Sequence, residues 1–207
     1  MSKLVYTLVG EGFAEYQFIP AYIDWVAAKQ AQELQVVRTR IQIAITKNPS
    51  VSKVLSDAQS LCAQSFADSK TPCHLFIAGI DLDKTDFTDD LEKHGKRIQE
   101  LKAAMGKVFK QYEDKIILYV PIQAIDCWIA YVQQKATPNS LEGHGKDDTK
   151  LKVYGQKKPD RQRIEKVARE AAQKADFAQL AKQSRSFNHF HQQITTFLAT
   201  YINNAHS

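Results

Sequence analysis

Hydrophobic and polar positions along the chain switch repeatedly between two periods. Lys3 to Gly10 is rich in Val, Leu, Tyr and Thr and ends in glycine, which predicts a buried strand. From Phe13 to Lys29, the residues Phe18, Tyr22, Trp25 and Val26 recur at helical spacing. Val37, Thr39, Ile41, Ile43 and Ile45 then alternate with Arg38, Arg40 and Gln42, the pattern of a strand with one wetter face. Asn48-Pro49-Ser50 breaks that strand and offers an N-cap to a second amphipathic helix through Val51, Val54, Leu55, Ala58, Leu61, Cys62 and Phe66. Cys73 to Ile80 is continuously apolar, as in a central strand covered on both faces. A third helix is traced by Leu91, Ile98, Leu101, Met105, Val108 and Tyr112. Lys115 to Val120 forms a fourth strand, and a further helix carries Trp128, Ile129 and Val132.

The order β-α-β-α-β-α-β-α predicts an α/β fold, a Rossmann-type parallel four-stranded sheet with helices on both faces. Ligands of such sheets sit beyond the carboxyl ends of the strands. Residues 136–160 change character: Thr137-Pro138-Asn139-Ser140 and Gly143 to Asp148 read as a long loop, followed by a basic stretch with Tyr154 interleaved. Two or three helices follow, marked by Ile164, Val167, Ala168 and Ala171, then by Phe187, Phe190, Ile194, Phe197 and Tyr201, with Ser186 as a cap for the last. The expected organisation is an α/β domain over residues 1–135 and a basic, mostly helical extension over 136–207.

Charge sharpens that division. Residues 1–135 hold 16 Lys/Arg and 16 Asp/Glu, whereas 136–207 hold 12 and 7, so the whole net charge of +5 lies in the extension. A neutral core with a basic annex suits a polyanionic partner such as nucleic acid, and equally suits a solvated helical surface. The length fits one domain with an appendage. Cys62, Cys73 and Cys127 are widely separated without a C-x-x-C pair, which argues against a zinc site or disulfide framework and for small buried apolar residues. His144, His189, His191 and His206 show no i, i+4 pair and are not expected to be ligands. With no apolar run near the ~20 residues of a membrane span and no signal-peptide pattern at Met1-Ser2-Lys3, the expectation is a cytoplasmic protein without membrane association.

Candidate chemistry comes from carboxylates at two strand ends. Glu11 lies between Gly10 and Gly12 after the first strand, with Glu15 four positions later in a first helical turn, where the dipole alone favours it. Asp81 and Asp83 follow the third strand and, on an extended end, point the same way. The topology brings Glu11, Asp81 and Asp83 to one sheet edge. Such hard oxygen ligands suit Mg²⁺ or Mn²⁺, with Glu11 completing the cage or acting as general acid or base. Taken one at a time, Glu11 in a solvated turn, or Asp83 or Asp86 as a helix cap, is the plainer explanation.

Val9-Gly10-Glu11-Gly12-x-x-Glu15, Ile80-Asp81-x-Asp83, Pro121-x-x-x-Ile125-Asp126-x-Trp128 and Ser186-Phe187-x-x-Phe190, in this order, resemble a TOPRIM domain. More narrowly, the chain resembles the uncharacterised TOPRIM-like proteins of bacterial defence and mobile-element loci, related to nucleases of the overcoming-lysogenisation-defect type. Asp126 stands where the resemblance leads one to expect a glutamate. The resemblance implies Mg²⁺-dependent nuclease chemistry on DNA or RNA, in defence against phage or mobile elements. It assigns general acid/base or ligand duty to Glu11 and metal binding to Asp81 and Asp83, with Glu15 and Asp126 as further candidate ligands. Lys84, Lys157, Lys158, Arg161 and Arg163 are candidates for holding phosphates, and for each singly surface solvation is the plainer role.

Two other readings compete. Asp81-Leu82-Asp83-Lys84-Thr85 fits the D-x-D-x-T start of a haloacid-dehalogenase-like phosphatase with Asp81 as nucleophile. That motif normally follows a first strand, and it leaves Glu11 without a role. The other is a non-catalytic subunit that binds nucleic acid or an ATPase encoded nearby.

Overall fold

The computed structural model describes residues 3–31, 33–39, 49–86, 92–134 and 136–205. Four strands form one all-parallel sheet: β1 (Lys3–Val9), β2 (Gln35–Arg38), β3 (Leu75–Gly79) and β4 (Ile116–Tyr119), in the spatial order β2-β1-β3-β4. Among the described residues the helices are α1 (Glu15–Gln30), α2 (Val51–Ala67), α3 (Glu92–Gln111), α4 (Ile125–Gln133), α5 (Lys146–Tyr154), α6 (Arg161–Lys174), α7 (Phe177–Gln183) and α8 (Arg185–Ala205). The α/β class and parallel sheet read from the sequence are those of the structure. The expected second strand from Val37 to Ile45 is described only to Thr39; β2 begins two residues earlier, at Gln35, and Thr39 donates its backbone N–H to Tyr6 O at 2.8 Å. Ile41, Ile43 and Ile45, like Leu91 and His206, lie outside the described residues.

Strand periodicity sorts the core into two layers. Leu4, Tyr6, Leu8, Leu75, Ile77, Ile117 and Tyr119 face α1, α4 and the C-terminal helices. Phe76, Ala78, Ile80, Ile116 and Leu118 face α2 and α3. Ser50 caps α2 by accepting the backbone N–H of Lys53 at 3.4 Å. The helix α3 is broken at Gly106, whose φ of 55° falls in the left-handed region that favours glycine.

Residues beyond 135 complete the first layer. Phe177, Phe187, Phe190, Ile194 and Leu198 lie in the same buried cluster as Phe18, Tyr22 and Trp128. Tyr22 packs edge-on to Phe177 and Phe187 at centroid separations of 5.3 and 5.0 Å. Helix α5 starts inside the expected loop, at residues 146–148, and continues through the first part of the basic stretch, burying Thr149, Val153 and Tyr154. Its apolar residues are too few and irregularly spaced to stand out among the charged ones. The cap of α8 is also corrected. Ser184 Oγ accepts the Phe187 N–H at 3.3 Å, and Ser186, the second residue of the helix, has other partners. Its Oγ accepts the buried N–H groups of Ile122 and Trp128 Nε1 at 3.2 and 3.0 Å, tying α8 to the loop after β4.

No helix among the described residues is long and apolar enough to cross a membrane. Cys62, Cys73 and Cys127 are buried free thiols.

Candidate functional site

Strand β1 lies between β2 and β3, so the chain reverses its direction of travel across the sheet between β1 and β3. In parallel sheets, ligands bind beyond the carboxyl ends of the strands at such a switch point. Glu11 stands at the end of β1 and Asp81 at the end of β3. The Asp81 backbone N–H donates to Glu11 Oε2 at 2.7 Å. One oxygen from each of Glu11, Asp81 and Asp83 falls within 4.8 Å of the others.

The two aspartates converge by a route different from the extended strand end expected. Asp83 has a φ of 57°, the left-handed region that aspartate tolerates better than most residues. The turn is held by backbone bonds to the segment after β4: Leu82 N to Pro121 O at 3.0 Å and Asp83 N to Gln123 O at 2.9 Å. Asp81 is buried while Asp83 is exposed. Asp81 Oδ1 accepts the N–H of Ile125, the first residue of α4, at 3.0 Å. This N–H, which has no partner within the helix, stabilises the carboxylate.

Lys146, the first residue of α5, sits among these acids. Its Nζ is 3.4 Å from Asp81 Oδ2 and in direct contact with Asp83 Oδ1. Burial opposes the lysine's charge, but Asp81, Asp83 and Glu11 outweigh it and hold the ammonium charged above its ordinary range. Arg97 of α3 approaches from the other layer, its Nε donating to Asp81 O at 3.3 Å. Neither residue is marked by local sequence. Lys146 lies 63 positions from Asp83, and only the tertiary fold brings them together.

Glu15 and Asp126 form the inner wall. Glu15 is 1% exposed, and its Oε2 has no hydrogen-bond partner among the described residues. Burial, then the charges of Glu11 and Asp126, push its carboxyl up to about 8. Close approach at this point requires glycine: a Cβ on Gly12 would lie 2.7 Å from Glu15 Oε2, and one on Gly10 would lie 2.8 Å from Tyr119 Oη. Tyr119 Oη is likewise buried without a partner. Asp126, at the start of α4, accepts the Tyr154 hydroxyl, and its pKa is raised by burial although that bond and Lys150 counter it. Burial also raises Asp81 well above the usual carboxylate range, with the Glu11 and Glu15 charges adding to it. Glu11 is raised as well, by burial and the Asp83 charge against its bond from Asp81 N–H and the Lys146 charge.

Among the described residues, Glu11, Glu15, Asp81, Asp83 and Asp126 interact electrostatically, and Lys146 makes direct ion pairs with two of them. So many acids require either protons or more positive charge. The donor set is all oxygen, and Glu15 Oε2 and Tyr119 Oη are orphaned polar atoms beside it. These features fit a hard divalent ion held by Glu11, Asp81 and Asp83.

The basic candidates divide. Arg161 reaches the rim, its guanidinium 4.6 Å from the ring centroid of Phe13, which follows Gly12, and it also pairs with Glu165. Arg163 donates from Nε to Tyr154 O at 3.1 Å and so anchors the end of α5. Lys84, Lys157 and Lys158 are exposed. Among the histidines, His191 Nδ1 meets the Tyr22 hydroxyl at 2.8 Å, and none joins the acidic group among the described residues.

Comparison with known proteins found no matching family model and no significant match to a curated protein or a solved structure.

Proposed function

We propose that Glu11, Asp81 and Asp83 hold Mg²⁺ or Mn²⁺ and that the chain hydrolyses phosphodiester bonds of nucleic acid. The observation that supports this reading is the convergence of their three carboxylates within 4.8 Å at the switch point of a parallel sheet. A bound divalent ion supplies neutralisation of a phosphate oxygen and a more acidic water. The chain's own residues do the rest. Asp81 is locked in place by Ile125 N–H, and Asp83 is presented outward by its left-handed turn. Glu11 spends Oε2 on the Asp81 N–H and keeps Oε1 for a ligand or a proton. Burial raises its pKa, which makes it a stronger base than a free carboxylate. Arg161 at the rim and exposed Lys157 and Lys158 provide positive charge for a phosphate backbone.

The residues at this site are those that carry the TOPRIM resemblance, and on that basis we read the chain as a TOPRIM-like nuclease. Defence against phage or mobile elements, a cytoplasmic location and an ATPase partner rest on the sequence reading alone. The phosphatase alternative is less well supported. Asp81 is buried, with one oxygen on Ile125 N–H and the other facing Lys146, a poor setting for a nucleophile.

The test is incubation of the purified protein with single-stranded DNA, duplex DNA and RNA, with Mg²⁺ or Mn²⁺ and with a chelator. Cleavage that needs the metal and falls about a hundredfold or more in Asp81→Asn is expected, the scale of losing a principal electrostatic element. Cleavage unchanged by Asp81→Asn would remove the site from the reaction. A protein that takes up Mn²⁺ and cleaves nothing would support the binding-subunit reading instead.

A further inference from the structure

We infer that Lys146 is the resident counter-ion of the cation site and exchanges with the divalent ion, so that its ammonium and the metal occupy the acidic cluster in turn. This inference rests on the metal reading above. Nζ lies against Asp81 Oδ2 and Asp83 Oδ1, two of the three carboxylates that would bind the ion. An ion bound to these oxygens at roughly 2–2.5 Å would lie within about 4 Å of a full positive charge. That repulsion opposes joint occupancy, and the ion would take the same carboxylate oxygens that hold the ammonium. The way out is open. Lys146 has a side-chain exposure of 33%, and its flexible stem starts from the first residue of α5, directly after Gly145.

The rest of α5 need not move. Its C-terminal end is pinned by the Tyr154 hydroxyl on Asp126 and by the Arg163 bond to Tyr154 O. Thr149 and Val153 are buried. Exchange is therefore a swing of one side chain. Its consequence is an affinity set by competition, because each binding event must first displace an intramolecular cation. Removing the ammonium while retaining the stem lifts that competition and adds one negative charge to the net balance of the cluster.

The test is Mn²⁺ titration, read by the electron paramagnetic resonance signal of the free ion, on wild type, Lys146→Met and Lys146→Gln. Circular dichroism first identifies the variants that fold. Mn²⁺ binding about tenfold tighter or more in a folded variant is the expected result. Equal or weaker binding by folded variants, with wild type binding Mn²⁺, would overturn the counter-ion role and leave the metal site standing. No Mn²⁺ uptake by wild type and variants alike would overturn the metal reading itself, and the exchange with it.

Discussion

Glu11 Oε2 accepts the backbone N–H of Asp81 at 2.7 Å, so one hydrogen bond ties together the segments that follow the carboxyl ends of two paired strands. The bond gives Glu11 a structural role that survives loss of its charge and a chemical role that does not.

Glu11→Gln separates those roles. Glutamine retains an acceptor oxygen for the Asp81 N–H and relieves repulsion within the cluster. The metal-free protein should therefore melt at or above the wild-type temperature, while Mn²⁺ affinity falls about tenfold or more for loss of a charged ligand. Calorimetric titration and thermal melting in chelator check the pair. A lower melting temperature with unchanged Mn²⁺ affinity would assign Glu11 a purely structural role.

Gly10→Ala should destabilise the fold. The new methyl would meet Tyr119 Oη at 2.8 Å and Glu15 Cβ at 2.9 Å, and both partners are buried. Overpacking of this kind costs about 1–3 kcal/mol. A urea titration reads it as a lower midpoint at constant slope, and a midpoint equal to wild type would show that the loop shifts freely.

Stability should depend on pH through Glu15. Its folded pKa of about 8 lies above the value of 4.5 usual for the side chain. Between those limits the folded chain keeps a proton that the unfolded chain has released, so this stabilisation is full below about 4.5 and is lost as pH rises towards 8. The loss is of the order of a few kcal/mol. In chelator, wild type should lose more stability between about pH 5 and pH 8 than Glu15→Gln. Equal losses in urea midpoint for the two proteins would mean that Glu15 titrates in the ordinary carboxylate range.

Ser186→Ala should weaken the chain without touching an acid. It leaves the N–H of Ile122 and the indole N–H of Trp128 without their shared buried acceptor. Two stranded donors cost about 2–6 kcal/mol. Because Ile122 belongs to the loop that holds the Asp83 turn, Mn²⁺ affinity should fall as well. Urea denaturation and Mn²⁺ titration together check this, and a wild-type midpoint would show that water replaces the hydroxyl.

The alternating strands and the three acids were legible because both are local. Val9-Gly10-Glu11 and Ile80-Asp81 each mark where an apolar run ends, and the β/α order alone predicts that those ends share an edge. The features that escaped are set by contacts distant in sequence. The helical turns of α5 rest on only Thr149, Val153 and Tyr154 buried among charged neighbours, so residues 146–148 read as loop and the rest as a basic stretch. The position of Lys146 depends on how that helix docks. Asp83 reaches the cluster through a left-handed turn stabilised by Gln123 O, a pairing visible only once β3 and β4 lie side by side. Ser186 looked like a helix cap because serine commonly is one, but the Trp128 indole claims it.

The most direct measurement is a crystal structure of the protein soaked in Mn²⁺, with the ion located by its anomalous scattering. The account predicts a peak at about 2–2.5 Å from oxygens of Glu11, Asp81 and Asp83. A saturating soak that leaves those three carboxylates without a peak, or places the ion on other residues, would contradict it.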